Sequence, residues 1–70
     1  MKNLFPQRLK ELREEKKLSK SELAKQINVS CACISRWEQG LREPSVSSII
    51  ILSQYFGCTS DYLIGLDDYE

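Results

Sequence analysis

No histidine occurs among the 70 residues, which removes the commonest general base, the usual imidazole metal ligand and the side chain that titrates near neutrality. Most enzymatic readings weaken with that one absence. Cysteine is sparse and odd in number: Cys31, Cys33 and Cys58 cannot all pair, which argues against a disulfide framework and for a reducing compartment. Long apolar runs are also missing. None exceeds the length of the run at residues 49–52, far below the ~18 residues a membrane span needs, and no secretion-type apolar stretch opens the chain. The expectation is a soluble, cytoplasmic protein with no membrane partner. Basic residues stop at Arg42: all ten lie in residues 1–42 together with five glutamates, whereas residues 43–70 carry five acids and no base. Formal neutrality therefore hides +5 in the first part and −5 in the second, a polarity that can turn a basic face toward an anionic partner. There is no internal repeat, low-complexity segment or interdomain linker. A chain this short builds one core and buries only about 60% of its unfolded surface, so a second subunit would help to stabilise it. We expect one domain over residues 1–66 and a short acidic tail at 67–70.

What is present is a series of helix start and stop signals. Pro6 suits the first position of a helix, where its missing N–H would be unpaired in any case. Leu9, Leu12 and Lys16 follow at helical spacing and predict a helix over 6–17. Ser19-Lys20-Ser21-Glu22 reads as a capping box, with Leu18 and Leu23 at staple positions, so a second helix begins at Lys20. Asn28 tolerates a left-handed turn, and Val29-Ser30 repeats staple and cap with Ile34 as partner; a third helix begins at Cys31. Gly40 is expected to close it as a left-handed cap, and Pro44 keeps Glu43 out of helical conformation. Ser45 caps a fourth helix that runs to about Phe56, before Gly57. The β-branched run Ile49-Ile50-Ile51 would suit a strand, but Val46, Ile49, Leu52, Ser53 and Phe56 keep a helical period. Thr59 caps a last short helix over 60–64, closed by Gly65.

Helices two and three are separated by about three residues, with apolar side chains at 23, 24, 27, 29, 34 and 37. That is the pattern of two short helices packed at a steep angle, a helix-turn-helix. A plain hairpin inside any all-α domain is the alternative. Taking about 100° per residue and Ile34 as the inward direction, Trp37, Glu38 and Leu41 fall near the core. Ala32, Arg36 and Gln39 point away, with Ser35 beside them. Such a small, polar face suits a major groove, where Arg can bond guanine O6 and N7 and an Ala methyl can touch thymine; an ordinary solvated face is the bland alternative. Glu38, and Arg13 on the inward side of helix one, would each be costly if buried unpaired, so the two are expected to pair with each other.

Leu18-Ser19-Lys20-Ser21-Glu22-Leu23-Ala24, Val29-Ser30, Ile34-Ser35-Arg36-Trp37-Glu38-Gln39-Gly40, Pro44-Ser45 and Gly57-Cys58-Thr59 together resemble the phage Cro/C1 repressor (XRE) family over roughly residues 5–65. The resemblance implies an all-α, lambda-repressor-like bundle of five helices with the helix-turn-helix at helices 2 and 3, and the same buried Arg13–Glu38 bridge. It implies sequence-specific binding of double-stranded DNA by a small transcriptional regulator, a repressor, with helix three in the major groove. It implies no enzyme, cofactor or metal. Lys20, Cys31, Ala32, Ser35 and Arg36 would face base edges, and Ser19, Ser21, Ser30, Gln39 and Arg42 would face phosphates. The sequence departs from the family pattern at Lys20, where Gln is frequent, and at Cys31 and Ala32, where Gln, Arg or Ser is frequent. A thiol and a methyl offer little hydrogen-bond readout, so specificity leans on Arg36, Lys20 and DNA shape.

The implied partner is a two-fold symmetric operator bound by a homodimer. Apolar residues after 49 exceed what one small bundle needs, which makes Ile51, Tyr55, Tyr62, Ile64 and Leu66 interface candidates; an uneven monomeric surface is the alternative. A longer repressor of which this is the DNA-binding end, and an antitoxin-like or other protein-binding module on the same fold, are further readings. Cys31 and Cys33 with Cys58 make a poor metal set, because residues two apart on a helix diverge by about 200° and no His completes it. Cys33 and Cys58 read as small core fillers. No small-molecule ligand is evident.

Overall fold

The computed structural model describes residues 3–65, which form five helices and no strand. They are α1 (Phe5–Glu15), α2 (Lys20–Ile27), α3 (Cys31–Glu38), α4 (Val46–Phe56) and α5 (Ser60–Ile64). Leu66 and the acidic tail at 67–70 lie outside the described residues. Four of the five helices start on the hydroxyl that the sequence offers. Ser19 Oγ accepts the Glu22 N–H at 3.0 Å while the Glu22 carboxylate accepts the Ser19 N–H at 2.7 Å, completing the capping box. Ser30 caps α3 through the Cys33 N–H at 3.0 Å, Ser45 caps α4 through the Ser48 N–H at 3.1 Å, and Thr59 caps α5 through the Tyr62 N–H at 3.0 Å. Each such cap stabilises the domain by about 1 kcal/mol relative to Ala.

The ends depart from expectation in three places. α1 begins at Phe5, so Pro6 is its second residue, and the Phe5 N–H is taken by Asn3 Oδ1 at 2.9 Å. The same helix stops at Glu15, not 17, because Lys17 adopts a left-handed φ of 57° and the Leu18 N–H folds back to the Arg13 carbonyl at 3.1 Å. Gln39 is the cap of α3, with Gly40 (φ 74°) one residue further on. This last shift corrects the placement of Leu41: it is 72% exposed and not near the core. The helical projection from Ile34 loses its meaning once the chain turns left-handed at Gly40.

The core is drawn from every helix: Phe5 and Leu9, Leu23, Ala24 and Ile27, Ile34 and Trp37, Leu52, and Leu63. Leu18, Val29, Cys33 and Cys58 pack against it half-buried, as the staple and filler readings expect. Phe5 meets Trp37 edge-on, with ring centroids 5.9 Å apart. The buried Trp37 indole N–H has no acceptor among the described residues. The two ends of the described chain are tied together. The Leu4 N–H donates to the Ile64 carbonyl at 3.2 Å, and Arg8 donates to the Tyr62 carbonyl at 2.7 Å while its guanidinium lies 4.0 Å over the Tyr62 ring. With α1 thus fixed across α5, its other face is free to hold α3.

Candidate nucleic-acid interface

The α2–α3 pair is shaped by three local choices. Asn28 takes the left-handed region (φ 62°) without a glycine, and the Val29 N–H closes the end of α2 on the Ala24 carbonyl at 3.0 Å. Ser30 then starts α3 at once. Ala24 is buried with only a methyl for a side chain, and α3 drops Ile34 and Trp37 into the same core as Leu23, Ala24 and Ile27. The angle between the helices follows from the short turn, and the turn follows from Asn28.

This packing leaves one side of α3 open. Ala32, Arg36 and Gln39 are exposed and Ser35 beside them is half-buried, as the helical projection places them, and Cys31 is exposed as well. Ser19, Ser21 and Ser30, at or beside the starts of α2 and α3, and Arg42, in the loop after α3, are all exposed, and Lys20 is half-buried. Ser21 Oγ donates to Cys31 Sγ at 3.6 Å, joining the first turns of α2 and α3. Sequence reasoning missed that contact, because nothing in the spacing of 21 and 31 announces it. The residues read as base-facing and phosphate-facing thus stand at the first turns of α2 and α3, which that contact joins, and along the exposed side of α3, with Arg42 apart in the loop that follows.

This side carries a formal excess of positive charge. Between residues 18 and 42 stand Lys20, Lys25, Arg36 and Arg42 against only Glu22 and Glu38. Both carboxylates are occupied: Glu22 by the Ser19 N–H, and Glu38 by Arg13 at 2.7 Å. The Arg13–Glu38 bridge expected from the sequence is present and two-pronged, with a second hydrogen bond at 3.1 Å, and the two side chains are 10% and 4% exposed. The hydrogen bonds that Arg13 donates to Glu38 raise the affinity of its guanidinium for its proton, against the opposing effect of burial. Among the described residues this is the only ion pair, so the four cations of the α2–α3 side have no carboxylate partner. Helix N-termini beside unpaired cations are what an array of phosphates requires.

The remaining candidates lie elsewhere. On α4, Ile50 and Ile51 are 47% and 45% exposed, and Val46 is 77% exposed. Tyr55 and Tyr62 are half-buried and engaged within the chain, Tyr55 against Phe56 and beneath Lys16, Tyr62 beneath Arg8. Ile64 is half-buried. No helix among the described residues is long and apolar enough to cross a membrane, and no group of three His, Cys, Asp or Glu side chains converges there.

Comparison with known proteins gives a consistent picture. A family model described as helix-turn-helix matches residues 9–63. The chain is 38% identical over 60 residues to the HTH-type transcriptional activator BcrR of Enterococcus faecalis, covering 86% of this chain and 29% of that protein. It is 33% identical over 61 residues to repressor protein C2 of Salmonella phage P22, covering 87% of this chain and 28% of that protein. The chain thus spans less than a third of the length of either relative. Among solved structures, the P22 c2 repressor in complex with a synthetic operator superposes with a TM-score of 0.81 at 32% identity, covering 86% of this chain and 91% of that one.

Proposed function

The chain belongs to the helix-turn-helix family whose model it matches over residues 9–63, and from that premise we propose that it is the DNA-reading domain of a transcriptional regulator, not an enzyme. The observation that carries this reading is the open face of α3, with Arg36 exposed and unpaired, set beside the first turn of α2 on a side whose carboxylates are all spent internally. α3 enters the major groove. Arg36 reads guanine, Ala32 and Cys31 pack on base edges with Ser35 beside them, and Lys20 reaches a phosphate or base edge from the start of α2. Ser19, Ser21, Ser30, Gln39 and Arg42 meet the phosphates on either side. Repression follows if the bound site overlaps a promoter.

Two such domains on a two-fold symmetric operator complete the proposal. The second copy is seated on the outer face of α4, where Val46, Ile50 and Ile51 are exposed. Residues 45–60 carry no charge at all in a chain that is 29% charged. A two-fold axis sets each residue near it against its own copy, so an uncharged apolar stripe is what that symmetry tolerates. Tyr55 and Tyr62, already engaged within the chain, and the half-buried Ile64 contribute less.

The test is selection from a randomised duplex pool, followed by fluorescence anisotropy at two salt concentrations with Arg36→Ala alongside. Enrichment of one site, affinity that falls steeply with salt, and relaxed preference at one base pair in folded Arg36→Ala are the expected results. Failure to enrich any sequence refutes the reading.

A further inference from the structure

Arg13 does more than neutralise Glu38. Its Nε and Nη2 donate to Glu38 Oε2 and Oε1 at 2.7 and 3.1 Å, while Nη1 donates to the Leu18 carbonyl at 2.8 Å. The Leu18 N–H returns to the Arg13 carbonyl at 3.1 Å. One residue therefore holds Leu18 by both its amide and its carbonyl, and Leu18 immediately precedes the capping box that starts α2. The other prong ends on Glu38, the last residue of α3. The turn between, with non-glycine Lys17 at φ 57°, is a strained conformation that persists only where its surroundings hold it.

We propose that Arg13 is a positioning residue for DNA recognition, fixing the first turn of α2 relative to the reading helix α3. The inference rests on the DNA-binding reading above and goes beyond the bridge as a structural element. The apolar contacts between α2 and α3 set how close the helices lie, but they are non-directional. The planar guanidinium is directional, and its fork reaches both elements at fixed angles that a lysine ammonium cannot reproduce. Nor does the bridge need to exist for stability: a buried ion pair can often be exchanged for apolar side chains of similar volume with no loss of stability.

That exchange is the experiment. Arg13→Met combined with Glu38→Leu removes both prongs and the Leu18 bond while filling the space, and its circular dichroism, melting temperature and affinity for the selected duplex are compared with the wild type. The expected result is a fully helical variant that melts no lower than the wild type yet binds about tenfold more weakly, by a similar factor on single-base variants of the duplex, because a phosphate-facing first turn is displaced. A folded double variant that binds within about twofold of the wild type overturns the proposal. If it does not fold, Glu38→Gln, which keeps the Leu18 bond, is compared with Arg13→Lys, which loses it, at a temperature where both are helical. Weaker binding by Arg13→Lys alone supports positioning, and equal binding overturns it. A wild type that binds no duplex sinks the DNA reading and this inference together, whereas a wild type that binds and a folded variant that matches it sink this inference alone.

Discussion

Ser30 offers a perturbation in which stability and DNA binding should move in opposite directions. Its Oγ accepts the Cys33 N–H at 3.0 Å, and the side chain is exposed on the proposed phosphate side. Aspartate caps a helix as well as serine, and its charge at the N-terminus interacts favourably with the helix dipole by about 0.3–1 kcal/mol. Ser30→Asp should therefore melt at or slightly above the wild-type temperature. The same carboxylate, placed roughly 5 Å from a phosphate, meets a repulsion of about 1–3 kcal/mol for effective dielectric constants between ~80 and ~20. Affinity for the operator should drop between about fivefold and a hundredfold per subunit. Ser30→Ala is the counterpart. It loses the cap, costs about 1 kcal/mol, and lowers the melting temperature by about 4–8 °C for a domain of this size, with a smaller effect on affinity once both proteins are folded. Thermal melts and anisotropy titrations on the same preparations separate the two. If Ser30→Asp binds as tightly as the wild type while remaining folded, Ser30 does not face a phosphate and the docking of α3 is wrong.

Three further outcomes can be checked on the same footing. Gly65→Ala should cost about 1–3 kcal/mol, because Gly65 sits at φ 94° and a Cβ there would lie 2.8 Å from Leu4 Cβ and 3.1 Å from the Leu4 backbone nitrogen. Gly57→Ala, also left-handed but with nothing within 4 Å of the new Cβ, should cost less; equal losses in chemical denaturation would contradict the clash. Burial pushes the Cys58 thiol above its ordinary value of 9.0, so the unfolded chain deprotonates first. That contribution to stability is intact below about pH 9 and is lost as pH rises toward the folded value, and Cys58→Ala should flatten the alkaline limb of melting temperature against pH. An unchanged limb would assign it to other groups. Ile51→Glu should convert a dimer to a monomer in sedimentation equilibrium while leaving the fold intact, and an unaltered mass would place the interface elsewhere.

The legible parts of this fold are the ones whose physics is local. Ser19, Ser30, Ser45 and Thr59 each cap a helix because a hydroxyl stands just before an apolar-periodic segment and the backbone N–H it accepts is three residues away. Asn28, Gly57 and Gly65 end helices for equally local reasons. The Arg13–Glu38 pair, 25 residues apart, was still legible because two charges on inward faces leave each other as the available partner. The Leu18 arm of Arg13 was not, since a backbone carbonyl exists at every residue and leaves no mark in the sequence. Leu41 went wrong where a periodic argument was carried past a helix end. Tyr55 and Tyr62 looked like surplus apolar surface because their partners, Lys16 and Arg8, are cations on a different helix or just beyond its end, and a cation over a ring leaves no pattern along the chain.

The division of polar groups explains how a chain of zero formal charge can present a binding face for a polyanion. Carboxylates near α2 and α3 are consumed where they stand: Glu22 closes a capping box and Glu38 holds Arg13. Arg8 spends its charge over the Tyr62 ring and on a carbonyl at the far end of the bundle. Lys20, Lys25, Arg36 and Arg42 have no such commitment among the described residues. Acids not used in this way stand outside the α2–α3 pair, Glu11, Glu14 and Glu15 on α1 and Glu43 and Asp61 after residue 42. Over a Debye length of about 10 Å in ~0.1 M salt, a phosphate approaching α3 responds to the local set and not to the total. Substituting an uncommitted cation therefore alters binding directly, whereas substituting a consumed carboxylate acts on binding only through the elements it holds. That separation lets the outward residues of α3 change, as Cys31 and Ala32 depart from the family pattern, without cost to the helices that carry them.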